Sequence, residues 1–234
     1  MNRTLLYSLS IIIGLFVSST GIFGLIPDHL AEWPVNIWCI GLFCFIFAKT
    51  NKKERIEMLT VLAFATPMEL FFSEVWLIYE YQRDLMPLYV PVGHWFLFDL
   101  GRIWSEKLSD KHSFSLVLLL TPLVLYGLVT GTDTSAVLLL VFCLIFIKFG
   151  PMPSLYATMV YFALIMEIWG TYLGAWEWAR EVPWTPFTAW NPPLLVGAFY
   201  CLGDLLVNLA VERFDTSNEK LESIENLQGL NNTV

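Results

Sequence analysis

The sequence predicts an all-α, polytopic membrane protein of about eight transmembrane helices, arranged as a duplicated four-helix unit. Three observations carry this. Of its 234 residues, 56% are hydrophobic and only 15% are charged, against about 45–50% apolar and about 25% charged in a soluble domain. Apolar runs near the roughly 20 residues that cross a bilayer recur between short polar connections. The second half of the chain also repeats short segments of the first, in the same order. This composition excludes a soluble enzyme, a disordered tail and a disulfide-stapled secreted domain. Thirteen basic residues against twenty-one acidic give a net charge of −8, which argues against nucleic acid as a partner.

Helices are expected at residues 5–26, 34–49, 56–80, 87–106, 113–130, 134–149, 154–179 and 190–212. Arg3 before the first run invites a signal-peptide reading. The apolar stretch continues past Ser18-Ser19 to Ile26, longer than an ordinary h-region, so a retained helix is preferred. Lys49, Lys52, Lys53, Arg55, Arg102, Lys107, Lys111 and Lys148 fall on one side of the expected bundle. Arg83 and Arg180 fall on the other, each beside an acid, Asp84 and Glu181. The positive-inside rule then places both termini in the cytoplasm, with a bacterial inner (plasma) membrane as the expected location. Trp33, Tyr79, Tyr81, Tyr89, Trp178, Trp184 and Trp190 fall at the outer boundary, where interfacial rings are enriched. Cys39, Cys44, Cys143 and Cys201 lie within expected spans without metal-ligand spacing, and read as buried small apolar residues. The polar tail from Ser217 carries Leu221, Ile224 and Leu227 at the spacing of a short surface helix. Its Asn231-Asn232-Thr233 glycosylation triplet would be inert on the cytoplasmic side.

The duplication rests on three matches. Phe43-Cys44-Phe45-Ile46-Phe47-Ala48-Lys49 and Phe142-Cys143-Leu144-Ile145-Phe146-Ile147-Lys148 agree at five of seven positions. Phe64-Ala65-Thr66-Pro67-Met68-Glu69 and Phe162-Ala163-Leu164-Ile165-Met166-Glu167 agree at four of six, and Leu97-Phe98-Asp99-Leu100 answers Leu202-Gly203-Asp204-Leu205. Residues 1–112 and 113–214 are thus expected to be two four-helix repeats, followed by a cytoplasmic tail at 215–234. Four helices per copy gives both copies the same topology, related by an axis along the membrane normal.

The repeat places charge at matching depths. Glu69 and Glu167 lie mid-helix, and Asp99 and Asp204 lie on the cytoplasmic side of centre. An ionised side chain at mid-bilayer costs at least ~2.5–3.5 kcal/mol, so these four should face a cavity, find partners, or hold a proton. Glu69 and Glu167 are expected to meet near the pseudo-twofold axis and share one proton. His94, present in the first copy only, stands where it could relay protons to Glu69. The candidate catalytic residues are therefore Glu69, Glu167, His94, Asp99 and Asp204. The candidate substrate contacts are the aromatic residues Trp76, Tyr172, Trp176, Trp178 and Tyr200.

Each candidate also has a structural reading. Glu69 and Glu167 could simply lock helices together, and His94 could be a hydrogen-bonded core residue. Asp99 could pair with Arg102 one turn away. Asp204 could close a polar stripe with Tyr200 and Asn208. Glu74, Glu80 and Glu177 lie nearer the outer surface, where they could line an entrance or be solvated. No cofactor is implied, and one intramembrane histidine without a ligand-spaced partner is poor support for a metal. Pro183, Pro186, Pro192 and Pro193 interrupt helix before the last span, and suggest a pocket roofed by Trp176, Trp178, Trp184 and Trp190.

Pro67-Met68-Glu69-Leu70-Phe71-Phe72 resembles part of the Pro-x-Glu-Glu-x-x-Phe-Phe signature of membrane-bound lycopene cyclases. Gly174-Ala175-Trp176-Glu177-Trp178 is similar to a Gly-x-Trp-x-aromatic element in those cyclases and in carotenoid hydratases. Leu70 stands where the signature has its second glutamate, and the two elements occur in a different chain order. The resemblance implies acid catalysis on a carotenoid or other isoprenoid double bond, with Glu69 as proton donor. Three function classes stand beside one another. The first is a membrane enzyme of cyclase, hydratase or isomerase type, acting on a membrane lipid or hydrophobic small molecule. The second is a proton-coupled small-molecule transporter, and the third an assembly protein whose acids only lock helices. The sequence favours the enzyme and does not fix substrate or oligomeric state.

Overall fold

The computed structural model describes residues 2–231, with the side chains of all but residues 28 and 216–231. It is predominantly helical: α1 (Arg3–Gly24), α2 (Glu32–Lys49), α3 (Lys52–Leu70), α4 (Tyr89–Ser105), α5 (Asp110–Leu118), α6 (Thr121–Thr130), α7 (Ala136–Phe149), α8 (Pro153–Tyr172) and α9 (Val196–Asn231). α5 and α6 form one apolar run, Asp110–Thr130. It breaks just ahead of Pro122, whose ring clashes with the preceding turn. Four helical runs are long and apolar enough to cross a membrane: α1, α2, α5–α6, and α3 with its continuation to Val75. α7 is a shorter apolar helix. Ile37, Ile165 and Val129 are 70%, 65% and 84% exposed on the outside of the bundle. A surface so rich in large apolar side chains suits hydrocarbon better than water.

Local chemistry sets where several helices begin. The Asn2 side chain accepts from the Leu5 N–H at 3.2 Å, and the Asn51 side chain from the Glu54 N–H at 2.9 Å. Each satisfies a backbone donor that the first turn leaves free. Asp133, fully buried, caps α7: its Oδ1 accepts from Ala136 N–H at 3.1 Å. Its Oδ2 accepts from Leu194 N–H at 3.0 Å, tying α7 to the segment that leads into α9.

α3, α4, α8 and α9 pack around a common centre, with α1 and α2 against α4, and α5 and α7 against α8. α4 is buried nearly all round, with Trp95, Phe96, Leu97 and Phe98 inside in succession, as befits a helix surrounded by others. Ion pairs tie the ends of these helices. Arg3 joins Glu54 and Asp99, and Arg102 joins Glu57 at 2.7 Å. Arg83 joins Glu32 at 3.1 Å at the start of α2.

Three expected boundaries are corrected. The helix expected to reach residue 80 stops at Leu70, continues as one π-helical stretch, Phe71–Val75, and gives way to strand β1, Tyr79–Tyr81. The helix expected to reach 179 stops at Tyr172 and is followed by strand β2, Trp176–Trp178. Pro67 withdraws a backbone donor from the end of α3, and Gly174 takes a left-handed φ of 71° beyond α8. The last helix starts at Val196 rather than 190, since Pro192 and Pro193 hold that segment out of helix. The chain is thus predominantly helical, with one short two-stranded sheet. β1 and β2 pair antiparallel, Tyr79 opposite Trp178, Glu80 opposite Glu177 and Tyr81 opposite Trp176.

Cys39, Cys143 and Cys201 are buried, but Cys44 is exposed. The backbone carrying Leu221, Ile224 and Leu227 belongs to α9. Their side chains lie outside those described, as does the glycosylation triplet beyond Asn231.

Candidate active site

Side chains alternate across a strand, so the pairing of β1 with β2 sends four rings to one face and two acids to the other. Tyr79, Tyr81, Trp176 and Trp178 are buried on the inner face; Glu80 and Glu177 are exposed on the outer one. The inner rings pack on one another, with Tyr79 and Trp178 centroids 4.8 Å apart and Tyr79 and Tyr81 rings perpendicular at 5.5 Å. They wall a cavity of about 170 Å³ whose lining is largely apolar. Glu69 from α3, His94 from α4, and Glu167 from α8 face the same space.

Each glutamate is clasped by the strand that follows its own helix. Glu69 Oε2 accepts from the hydroxyls of both Tyr79 and Tyr81. Glu167 Oε2 accepts from the indole N–H groups of Trp176 at 2.8 Å and Trp178 at 3.0 Å. Gly170 makes the second clasp possible. A Cβ there would stand 2.1 Å from the Trp176 ring, so only a bare α-carbon lets the indole lie back on α8 and reach Glu167.

The two clasps differ in what they can pass. A phenol hydroxyl donates and accepts, whereas an indole N–H only donates. The first clasp can take part in proton exchange; the second supplies donors alone. His94 sharpens that difference. Its Nδ1 lies 2.9 Å from the Val90 carbonyl, which can only accept, so Nδ1 carries a hydrogen. Its Nε2 lies 3.1 Å from Glu69 Oε1. One proton therefore sits on that contact, on the carboxyl when the ring is neutral or on the ring when the carboxylate is charged. Tyr200 completes the group. Its ring stacks on His94 at 5.7 Å and 10°, and its hydroxyl lies 3.5 Å from Nε2.

The structure brings together Glu69, Glu167, His94, Trp176, Trp178 and Tyr200 from among the expected site residues. It does not bring in the two aspartates. Asp99 pairs with Arg3 at 3.3 Å rather than with Arg102, which is taken by Glu57. Asp204 is fully buried with neither carboxyl oxygen hydrogen-bonded. Tyr200 turns instead to His94, and Asn208 donates to Glu212 at 2.8 Å, so no polar stripe forms.

Trp76 stacks on Trp184 at 6.2 Å and donates to the Pro183 carbonyl at 2.7 Å, outside the cavity lining. Tyr172 is 78% exposed and stacks on Trp169. Trp190 donates to Thr132 at 2.8 Å, so neither it nor Trp184 roofs the cavity. Glu80 and Glu177 border a second recess beside the sheet, and Glu74 accepts from Ser73 at 3.0 Å. The sequence reading took Tyr79 and Tyr81 for interfacial rings and missed them as site residues. The signal was present: Tyr-Glu-Tyr follows Glu69 and Trp-Glu-Trp follows Glu167, each ring two residues from its twin.

Among the described residues, no group of three or more His, Cys, Asp or Glu side chains is arranged to hold a metal ion. No protein-family model, curated protein or solved structure matches the chain.

Proposed function

We propose that this chain is an integral membrane enzyme that performs acid–base chemistry on a hydrophobic, isoprenoid- or carotenoid-like substrate. In this reading the eight helical rods are eight spans, two copies of a four-helix unit related by an axis along the membrane normal. Both termini lie in the cytoplasm of a bacterial inner membrane. The observation that carries the reading is the Glu69–His94 contact of 3.1 Å, with the ring tautomer set by Val90, inside a largely apolar cavity. A proton donor shielded from water works on a carbon–carbon double bond without losing its proton to solvent.

The roles follow from the groups. The Glu69–His94 pair delivers its shared proton to one alkene carbon, forming a C–H bond and leaving positive charge on the neighbouring carbon. The π faces of Tyr79, Tyr81, Trp176 and Trp178 attract that charge. Glu167, held by two indole N–H groups and with no proton-passing partner, balances it electrostatically. Loss of a proton from an adjacent carbon to the Glu69–His94 pair restores the site, so the net change is an isomerisation or cyclisation without a co-reactant. The resemblance through Pro67-Met68-Glu69 points the same way.

The test is mass spectrometry and absorbance on detergent-purified wild type and Glu69→Gln. A defined isoprenoid or polyene in the wild type, present unconverted in the variant, supports catalysis at Glu69. Bulk phospholipid alone in both, with proton flux in sealed vesicles lost in both Glu69→Gln and Glu167→Gln, replaces the enzyme with a proton-coupled transporter.

A further inference from the structure

The cavity lining reaches the surface between two helices. Of the side chains that line it, Met68, Leu202 and Leu206 are the exposed ones, at 40%, 42% and 39%. Met68 lies on α3, while Leu202 and Leu206 lie one turn apart on α9, and α3 packs against α9. The rim of the opening is thus a seam between two helices, and it carries no charged or hydrogen-bonding side chain. A water-facing mouth has no reason to be ringed by methionine and leucine; a mouth that faces hydrocarbon does.

Away from that seam the same cavity is lined by buried residues of other helices. Next to Met68 comes Glu69, whose partner His94 stands on α4. Beyond α4 the lining is supplied by Gly14 and Leu15 of α1 and Val35 and Cys39 of α2, all buried. α1 and α2 pack on each other and on α4. They approach closely here, since a Cβ on Gly14 would stand 3.2 Å from Val35 Cγ1. These four residues are apolar and buried, and the nearby Ser10 of α1, also in the lining, has its hydroxyl oxygen engaged by the Trp38 indole N–H at 2.9 Å.

The geometry points to lateral access: an uncharged, linear hydrocarbon chain slides from the bilayer through the α3–α9 seam. It passes the Glu69–His94 pair and seats its leading end in the arm of the cavity lined by α1 and α2. The consequence is a substrate class narrower than hydrophobic. The reacting bond is internal to the chain, and the depth of the arm sets its distance from the leading end. A head group, where the substrate has one, stays at the seam. The assignment of the reacting bond rests on the acid–base reading above; the route itself does not.

The experiment reads the route without any turnover. Full-length protein in phosphatidylethanolamine–phosphatidylglycerol vesicles is photolabelled with a hexadecyl probe bearing a terminal diazirine, and adducts are mapped residue by residue. The expected result is labelling of the buried Leu15, Val35 and Cys39, in wild type and in Glu69→Gln alike. The outward-facing Ile37, 70% exposed, gives the reference for contact with bulk lipid. Leu202→Trp and Leu206→Trp, made separately, should each lower the arm adducts roughly tenfold, equivalent to about 1.4 kcal/mol against access. Adducts at Ile37 should stay constant, which also reports that the bundle has folded. Absent arm labelling in wild type, or arm labelling unchanged in both rim variants, overturns the proposal. So does equal arm labelling by a short sulfonated diazirine that cannot enter the bilayer. If the route holds while Glu69→Gln leaves the copurifying lipids unchanged, the enzyme reading fails and lateral access stands.

Discussion

Glu69 and Glu167 sit in the same cavity, each on a helix whose following strand returns two aromatic side chains to clasp it. The first clasp is built of phenols and faces a histidine; the second is built of indoles. Matching geometry with different donors separates two jobs that a single carboxylate does poorly. A group that must release and regain a proton needs neighbours able to donate and accept. A group that must stay charged needs donors that never take the proton. On the proposed reading, the contrast between the two clasps is one between a site that exchanges a proton and a site that balances charge.

The largest expected effect breaks the comparison at its centre. Glu69→Gln removes the shared proton and should lower turnover by about 10³, within the range of general acid–base catalysis. Glu167→Gln keeps an acceptor for both indoles but loses the charge, and should cost about 10², a smaller electrostatic loss. Both are read as product formed per protein in vesicles. Equal losses in the two variants would mean that the halves share one function.

Gly170→Ala is expected to cost about 1–3 kcal/mol, as overpacking does, because the new methyl group collides with the Trp176 ring. Thermal unfolding in detergent and a red-shifted tryptophan emission would report it. Gly101→Ala makes a contrasting control, since its clash falls on the Sδ of the flexible Met159 side chain and should cost less.

Next comes Tyr81→Phe, which removes one hydroxyl from the first clasp. Loss of a hydrogen bond to a charged acceptor costs about 1.5–3 kcal/mol at most and less where the second tyrosine remains. Its effect on turnover should exceed that of Trp176→Phe, because only the phenol passes protons.

The smallest effect separates the two aspartates. Asp99→Asn weakens a long, 3.3 Å contact between a buried carboxyl and the partly exposed Arg3, worth about 1 kcal/mol, and should lower the unfolding midpoint slightly. Asp204→Asn replaces a buried carboxyl whose oxygens have no partner, and should leave the midpoint unchanged or raise it. A marked loss at Asp204 would show that it carries more than the packing around it reveals.

Much of the scaffold was legible in the chain because hydrophobic runs and the prolines and charges that bound them act locally. The rods at α1, α2, α7 and α8 begin within a few residues of their expected starts. The two strands were not legible as strands. Three residues each, they gain their backbone partners only from one another, across nearly a hundred positions. Periodicity over a 20-residue window also counts Tyr79 and Trp178 as more apolar helix. Asp99 and Asp204 looked like site residues because depth in a helix is readable, whereas the direction a side chain points within a bundle depends on which neighbours surround it.

By itself the sequence determined a helical, apolar scaffold, carboxyls within apolar helices, though Glu69 and Glu167 lie near the ends of α3 and α8 rather than at mid-helix, and a histidine on a neighbouring helix. Only tertiary structure decided the partners: Glu69 pairs with His94 and two tyrosines rather than sharing a proton with Glu167, which is held by two indoles in the same cavity, and Asp99 is drawn to Arg3. Short-range preferences set where a helix starts and stops. The grouping of titratable side chains from α3, α4 and α8 is set by packing around a common centre, and no local pattern encodes it.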